Sequence, residues 1–471
     1  MDYLIGVDVG TTSTKAVLYD QQANVLQDFK QGYSLYRDAS GMAEQNPDTL
    51  AEAVQSVIKQ AAQAANLDQG KLLAVSFSSA NQSLILLDDK HQPLTRALTW
   101  ADTRARAVAD QLKRTPAGKQ LYASTGTPIH PMSPLTKLLW LKQAHPDLMA
   151  RASYFADIKS YLFYKLFGVF RFDVSIASCT GMLNVTTGDW DERALALTGV
   201  QPEQLPEVVS GTTQEIGLLP DAASAMSIPA QTPFVYGAFD GALSNLGVGA
   251  IEKDTVAITI GTSAAVRVVT DHPVIDPKQR LFCYAVDNGL WVVGGPLNNG
   301  GDVFQWAVEH LVDASAVQNE QVDAYELAND VIASVPAGAH GLLFHPFLGG
   351  ERAPLWDANA RGSFFGLSQL HTRADAPGGN GRDQHEYCDR LYRRCRPGWR
   401  AAHSNRHRGF ANSEVWRQML ADVLNCPVNI PNSFESGCLG AITMAMVSLG
   451  MVDDLSAVTK LVGKLNPTTL T

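Results

Sequence analysis

The chain has 471 residues, of which 45% are apolar and 18% charged, and carries a formal net charge of −10. Its length exceeds one hydrophobic core and fits two domains of roughly 200 to 250 residues each, with the composition of a globular protein in water. The acidic balance argues against a nucleic-acid surface, no apolar run approaches the roughly 20 residues that span a bilayer, and no basic-then-apolar leader opens the chain, so the expected compartment is the cytoplasm, with neither nucleic acid nor membrane as a partner.

Near the N-terminus the apolar run Leu4-Ile5-Gly6-Val7 ends in Asp8-Val9-Gly10-Thr11-Thr12-Ser13-Thr14-Lys15 before a second apolar run begins. This reads as a β-hairpin whose Gly/Thr tip turns N–H groups and hydroxyls outward, an arrangement that holds phosphate oxygens. Over residues 47–65, Leu50, Val54, Val57, Ile58 and Ala61 recur at helical spacing and predict an amphipathic helix packed on a sheet. Residues 72–77 and 84–87 read as short buried strands, parted by the polar turn Ser78-Ser79-Ala80-Asn81-Gln82-Ser83. Helices are expected over 133–142 and 157–167, the second rich in aromatics that belong in a core. Such alternation is that of an α/β domain with a mixed sheet.

After Pro233-Phe234-Val235-Tyr236-Gly237-Ala238-Phe239-Asp240 the hairpin design returns: Val256–Ile260, the tip Gly261-Thr262-Ser263, then an apolar run over 264–269. A boundary near 241–253 therefore divides residues 1–245 from 246–471. Either hairpin alone is an ordinary glycine turn, but the pair suggests two related domains gripping one nucleotide. Asp8 belongs to the first copy only, and its expected extra role is to hold Mg²⁺, which takes carboxylate, water and phosphate oxygens. Gly294-Gly295-Pro296-Leu297-Asn298-Asn299-Gly300-Gly301 leads into a helix whose N-terminal amides can meet a phosphate. Residues 413–424 read as a helix with Val415, Met419, Leu420 and Val423 inward, followed by a strand over 427–430. The six cysteines are scattered without a CxxC pair, so neither a disulfide framework nor a zinc site is indicated and buried packing is expected.

The motifs at Asp8–Thr12, Trp100-Ala101-Asp102-Thr103-Arg104, Met132-Ser133-Pro134-Leu135-Thr136-Lys137, Gly237-Ala238-Phe239-Asp240-Gly241 and Gly350-Glu351-Arg352-Ala353-Pro354-Leu355-Trp356 occur in one characteristic order. The chain resembles the FGGY carbohydrate kinases over nearly its whole length. The resemblance implies two actin-like, ribonuclease-H-like α/β domains around an interdomain active-site cleft, with ATP and Mg²⁺ as cofactors. Thr125-Gly126-Thr127-Pro128-Ile129-His130-Pro131-Met132, Phe282-Cys283-Tyr284-Ala285 and Phe344-His345-Pro346-Phe347 look most like the branch that phosphorylates D-gluconate to 6-phosphogluconate. Another sugar or polyol kinase, such as one for xylulose, and a catalytically impaired sugar-binding relative are the alternatives. A homodimer is left open.

Carried onto this sequence, the resemblance makes Asp240 the general base on the substrate hydroxyl. Asp8 organises the metal, and Thr11, Thr12, Gly261, Thr262, Gly300, Gly409 and Asn412 meet the nucleotide. Asn81 and Gln82 stand where the family usually has Met-His against the sugar, which puts affinity or sugar preference in doubt. Arg104 is a candidate for a sugar-acid carboxylate, and an Asp102–Arg104 structural pair is the plainer reading. For Asp240 the plainer reading is a helix cap, for Lys15 solvation, and for His130 packing. The 351–356 element reads as an interdomain structural piece.

Residues 375–408 depart from this pattern: Pro, Gly, Arg, His and Cys crowd together with no helical or strand period. The codons permitted for Asp383–Tyr392 and Asn405–Gly409 allow a neighbouring frame that reads as the family expects there, so paired frameshifts are the expected explanation. As printed, Arg408 takes the place of an adenine-side glycine, where a side chain crowds the base. Family members also usually continue beyond residue 471 into a closing helix.

Overall fold

Strands β1 (Tyr3–Val9) and β2 (Ser13–Asp20) form an antiparallel hairpin that sets Asp8 opposite Lys15. β3 (Val25–Gly32) continues it as an antiparallel edge. This is a computed structural model, and it describes residues 1–67, 70–252, 255–287, 289–311, 323–336, 338–372, 399–402, 413–431, 435–463 and 465–468. Two compact units emerge: Met1–Gly247 with Thr270–Val293 and Glu435–Leu461, and Val248–Val269 with Gly294–Phe434 and Val462–Thr471.

In the first unit, α1 (Pro47–Ala64) starts where Asn46 accepts the Asp48 and Thr49 amides, with proline at the first helical position. Leu50, Val54, Val57, Ile58 and Ala61 are buried as their spacing demands. β4 (Leu72–Ser79) runs parallel to β1 and sets Ser78 opposite Asp8. α2 (Ile158–Phe167) begins at a reciprocal cap between Asp157 and Ser160, and its Tyr161 and Phe163 are core. The short helix α3 (Val174–Ser178) is capped by Asp173. β5 (Gln214–Glu215), then β6 (Phe234–Phe239) parallel to β4, lead into α4 (Asp240–Gly247). The sheet order is β5-β6-β4-β1-β2-β3.

Alternation along β1 separates its two faces. Ile5, Val7 and Val9 join the core that includes α1, whereas a Cβ at Gly6 would lie 2.6 Å from the carbonyl oxygen of Cys438, in the helix Ser436–Ser448. Asp8 shares the parity of Gly6 and therefore faces the start of that helix. Ser436–Ser448 is buried all round, from Ser436 to Met446, which identifies a helix inside a core rather than on a surface.

In the second unit, β7 (Val256–Ile260) and β8 (Ala264–Thr270) pair antiparallel with Ile260 opposite Ala264. The seven-stranded sheet runs Phe282–Asp287, β9 (Leu290–Leu297), β8, β7, β10 (Trp399–Ala402), β11 (Val428–Pro431), β12 (Leu465–Thr468). α5 (Gly301–His310) follows β9, and α6 (Glu414–Leu424), capped by Ser413, precedes β11. α6 buries Leu420, Ala421 and Leu424, while Val423 is 38% exposed, so the inward face is turned from the expected one. β10 lies in the stretch with no strand period; parallel partners on both sides, β7 and β11, impose the extended backbone. Among the described residues no helix is long and apolar enough to cross a membrane, and Cys179, Cys283, Cys426 and Cys438 are buried.

Candidate active site

Three parallel strands, β1, β4 and β6, end at one edge of the first sheet, the edge at which α/β proteins place their chemistry. Asp8 sits one residue before the end of β1 and accepts a hydrogen bond from Ser78 Oγ at 2.7 Å. Burial pushes its carboxyl up to about 6; the Ser78 bond and Lys15 oppose this, and the charges of Asp240 and Glu435 add to it. Lys15 is ion-paired rather than merely solvated. Its Nζ meets Glu435 Oε2 at 2.9 Å and Oε1 at 3.1 Å, immediately before the helix Ser436–Ser448.

An acid in such surroundings is short of positive charge, which fits a hard cation. Among the described residues no three His, Cys, Asp or Glu side chains converge into a metal cage. Mg²⁺ does not need one, because it keeps several waters and takes one or two carboxylates with phosphate oxygens.

Asp240 opens α4 and is exposed, with its Oδ1 2.7 Å from the Gly241 amide nitrogen. The strand before it is distorted on purpose: Gly237 has φ +68°, the register against β4 shifts between Val235 and Ala238, and a Cβ at Gly237 would lie 1.8 Å from Phe77 O. Only glycine accepts that backbone and that approach.

The Asn81–Gln82 turn is tied inward. Asn81 Nδ2 donates to Cys179 Sγ at 3.1 Å, and Gln82, 4% exposed with φ +63°, donates through Nε2 to Tyr284 Oη at 3.0 Å. Lys137, wholly buried, donates to the carbonyl oxygens of Gln82 (2.6 Å), Met132 (2.8 Å) and Leu98 (3.3 Å), and burial drags its ammonium down to about 7. Arg104 is heavily engaged: Nε and Nη2 meet Asp102 Oδ2 at 3.0 and 2.6 Å, Nη2 meets Glu44 at 2.6 Å, and the guanidinium lies 4.7 Å over the Trp140 ring. Its guanidinium is thus already balanced by two carboxylates.

The two hairpin tips share a design. In the first, Gly10 N donates to Ser13 O, Thr11 Oγ1 accepts from Trp100 Nε1 at 2.8 Å, and Thr12 is exposed. In the second, Gly261 N donates to Ser263 O at 2.8 Å and Thr262 is exposed. The amides that begin α5 are not offered outward as the glycine-rich turn suggested. Gly301 N donates to Gly261 O, Asp302 N to Thr262 O, and Val303 N to the Asp302 side chain, so the helix start is fastened to the tip of its own unit. Gly300 is needed for that approach, since a Cβ there would lie 2.6 Å from the Ser263 carbonyl carbon. Glu351, 4% exposed, accepts from Asn298 N at 2.6 Å and Asn299 Nδ2 at 3.0 Å, and so braces the turn before α5. Gly409 and Asn412, with Arg408, lie outside the described residues.

Ser78, Glu435 and Lys137 complete these arrangements: Ser78 and Lys137 stood in a quoted turn and a quoted motif without a role, and Glu435 lies 420 positions from its partner.

Residues 3–247 match the N-terminal domain of the FGGY family of carbohydrate kinases, and residues 256–377 and 409–449 match its C-terminal domain. The unmatched gap between the last two falls on the segment of anomalous composition. A gluconokinase from Bacillus licheniformis is 42% identical over 475 residues, covering 98% of this chain and 90% of that relative. The crystal structure of a gluconate kinase from Lactobacillus acidophilus superposes with a TM-score of 0.93 at 36% identity, covering 100% of this chain and 94% of that one. A ligand-bound xylulose kinase from the same organism also gives 0.93, at 35% identity and the same coverage. With both domains matched and a relative of this identity along nearly its full length, the chain belongs to the FGGY family of carbohydrate kinases and is a sugar kinase of the two-domain actin-like fold.

Proposed function

We propose that the protein transfers the γ-phosphoryl group of ATP to D-gluconate, giving 6-phosphogluconate, with Asp240 as the base for the substrate hydroxyl. The observation that carries this reading is geometric: Asp8 and Asp240 stand at the C-terminal ends of β1 and β6, on one edge of the first sheet. The 42% identity to a gluconokinase supports gluconate as the sugar.

Phosphoryl transfer needs an aligned alcohol and balanced charge more than covalent help. An exposed carboxylate such as Asp240 is a weak base, but the alcohol acidifies as its oxygen bonds to phosphorus, so a late proton transfer suffices. Asp8, oriented by Ser78, would hold Mg²⁺. The metal, when bound, neutralises phosphate charge. Thr11 and Thr12 from the first tip, and Gly261 and Thr262 from the second tip, are assigned to the nucleotide phosphates, with Gly300, Gly409 and Asn412 on the same nucleotide. Asn81, Gln82 and Arg104 are assigned to the sugar side, Gln82 and Arg104 acting from the bonded positions described above. The cytoplasm is the compartment this reading implies.

A panel of sugars with coupled detection of ADP tests the substrate. Turnover on gluconate with little on xylulose supports the proposal, and the reverse overturns it. The xylulose alternative is favoured by the equal superposition on a xylulose kinase.

A further inference from the structure

One buried charge pair lies against the strand that delivers Asp240. Lys159, in the first turn of α2, places Nζ 2.7 Å from Asp173 Oδ2, and both side chains are 1% exposed. The same ammonium donates to the carbonyl oxygens of Tyr236 at 3.1 Å and Ala238 at 3.4 Å. These carbonyls flank Gly237, the residue at which β6 breaks register. Asp173 uses its other oxygen to accept the Ile176 amide at 3.0 Å, capping α3, and Ser175 Oγ on that helix accepts the Phe239 amide at 3.2 Å. One charged assembly therefore holds backbone groups of residues 236, 238 and 239, ending next to Asp240.

The assembly also reaches the other side of the site. The Ile158 amide, beside Lys159, donates to Ser83 Oγ at 3.0 Å, at the end of the turn that carries Asn81 and Gln82. Apolar residues of similar volume in place of a buried ion pair are often as stable or more so, so a reason for the charges is sought outside packing. A lysine has three donors, and here two carbonyls accept from it while the carboxylate lies beside it as its ion partner.

We propose that the Lys159–Asp173 pair is a positioning device: it fixes the backbone that bears Asp240 relative to the Asn81–Gln82 turn, so that the base and the sugar hydroxyl meet in one geometry. The inference rests on the reading of Asp240 as the base. Neither residue touches substrate, and both act through Asp240.

The test is the charge-free variant Lys159→Met/Asp173→Asn, assayed in the wild-type and Asp240→Asn backgrounds after a thermal melt establishes folding. A misplaced base predicts a kcat on gluconate lower by about 10- to 100-fold with KM values for gluconate and ATP little changed. In the Asp240→Asn background the same change should cost nothing further. An equal loss in both backgrounds, or wild-type kcat in the charge-free enzyme, overturns the proposal. Wild-type turnover in Asp240→Asn alone would sink the base assignment itself, an outcome read separately from the first. Should the charge-free variant fail to fold, Ser175→Ala removes only the hydroxyl that accepts the Phe239 amide and puts the same two-background question: a kcat loss confined to the wild-type background supports the device, and its absence overturns it.

Discussion

Ser78 Oγ donates to Asp8 Oδ1 at 2.7 Å from the neighbouring parallel strand, orienting a carboxyl that burial and the nearby Asp240 hold at about 6. An unfolded aspartate titrates near 3.9. Between roughly pH 4 and pH 6 the folded protein therefore binds more protons at this site than the unfolded chain, and stability falls as pH rises through that window. The penalty is absent below about pH 4 and complete above about pH 6, on the order of 1–3 kcal/mol once partial solvent screening is allowed for.

Asp8→Asn keeps an oxygen for Ser78 and removes that penalty. In the metal-free protein it should raise the melting temperature at pH 7.5 by several degrees, with the gain vanishing below about pH 4. Phosphoryl transfer should be lost in the same variant. Equal melting temperatures at pH 7.5, read by scanning calorimetry, would contradict the electrostatic account of this site.

Asp240 is exposed, so its removal costs little packing. Asp240→Asn is expected to melt with the wild type, to keep its KM values, and to lose about 10²–10⁴-fold in kcat, the range of a missing general base. Steady-state kinetics with coupled ADP detection measures it.

Arg104→Lys separates the two roles open to that residue. Lysine cannot reproduce the paired contacts to Asp102 and Glu44 or the stack on Trp140. A structural clamp predicts a loss of about 1–3 kcal/mol of stability with the KM for gluconate unchanged. A sugar-acid contact predicts a rise in that KM of tenfold or more.

Much of this site could be read along the chain because its parts are local. Each hairpin tip is one run of residues, and α1 follows from Asn46, Pro47 and the spacing of five apolar side chains. What escaped was non-local. Lys15 looked solvated because its partner, Glu435, lies far along the chain, and Lys159 and Asp173 belong to different elements. The helix Ser436–Ser448 shows no apolar stripe because it is buried on every side. The start of α5 looked like a phosphate site until Gly261 and Thr262 took its amides, since sequence displays donors and not their partners.

The stretch 378–408 is unmatched by the C-terminal family domain, and the family resemblance gives Arg408 the place of an adenine-side glycine. Paired frame changes predict that the gene, read in the neighbouring frame between residues 375 and 409, encodes the expected family sequence. A protein restored to that frame should bind ATP at least about tenfold more tightly by calorimetry, because a glycine then replaces Arg408 at the position that the resemblance gives to the adenine side. Equal affinity of the two forms would remove the explanation.

The first unit is stitched from three separated stretches, and its last piece, Glu435–Leu461, supplies both the partner of Lys15 and the helix against the Asp8 face. A ribosome releases that piece only after the stretch Gly294–Phe434 of the second unit has been made. The N-terminal sheet must therefore wait, with one side uncovered, throughout the synthesis of the second unit. Completion of the first unit is thereby postponed until residues 435–461 have emerged, and it requires the closing of a very long loop. Until then the nascent chain leaves apolar surface open, the kind of surface that chaperones shelter.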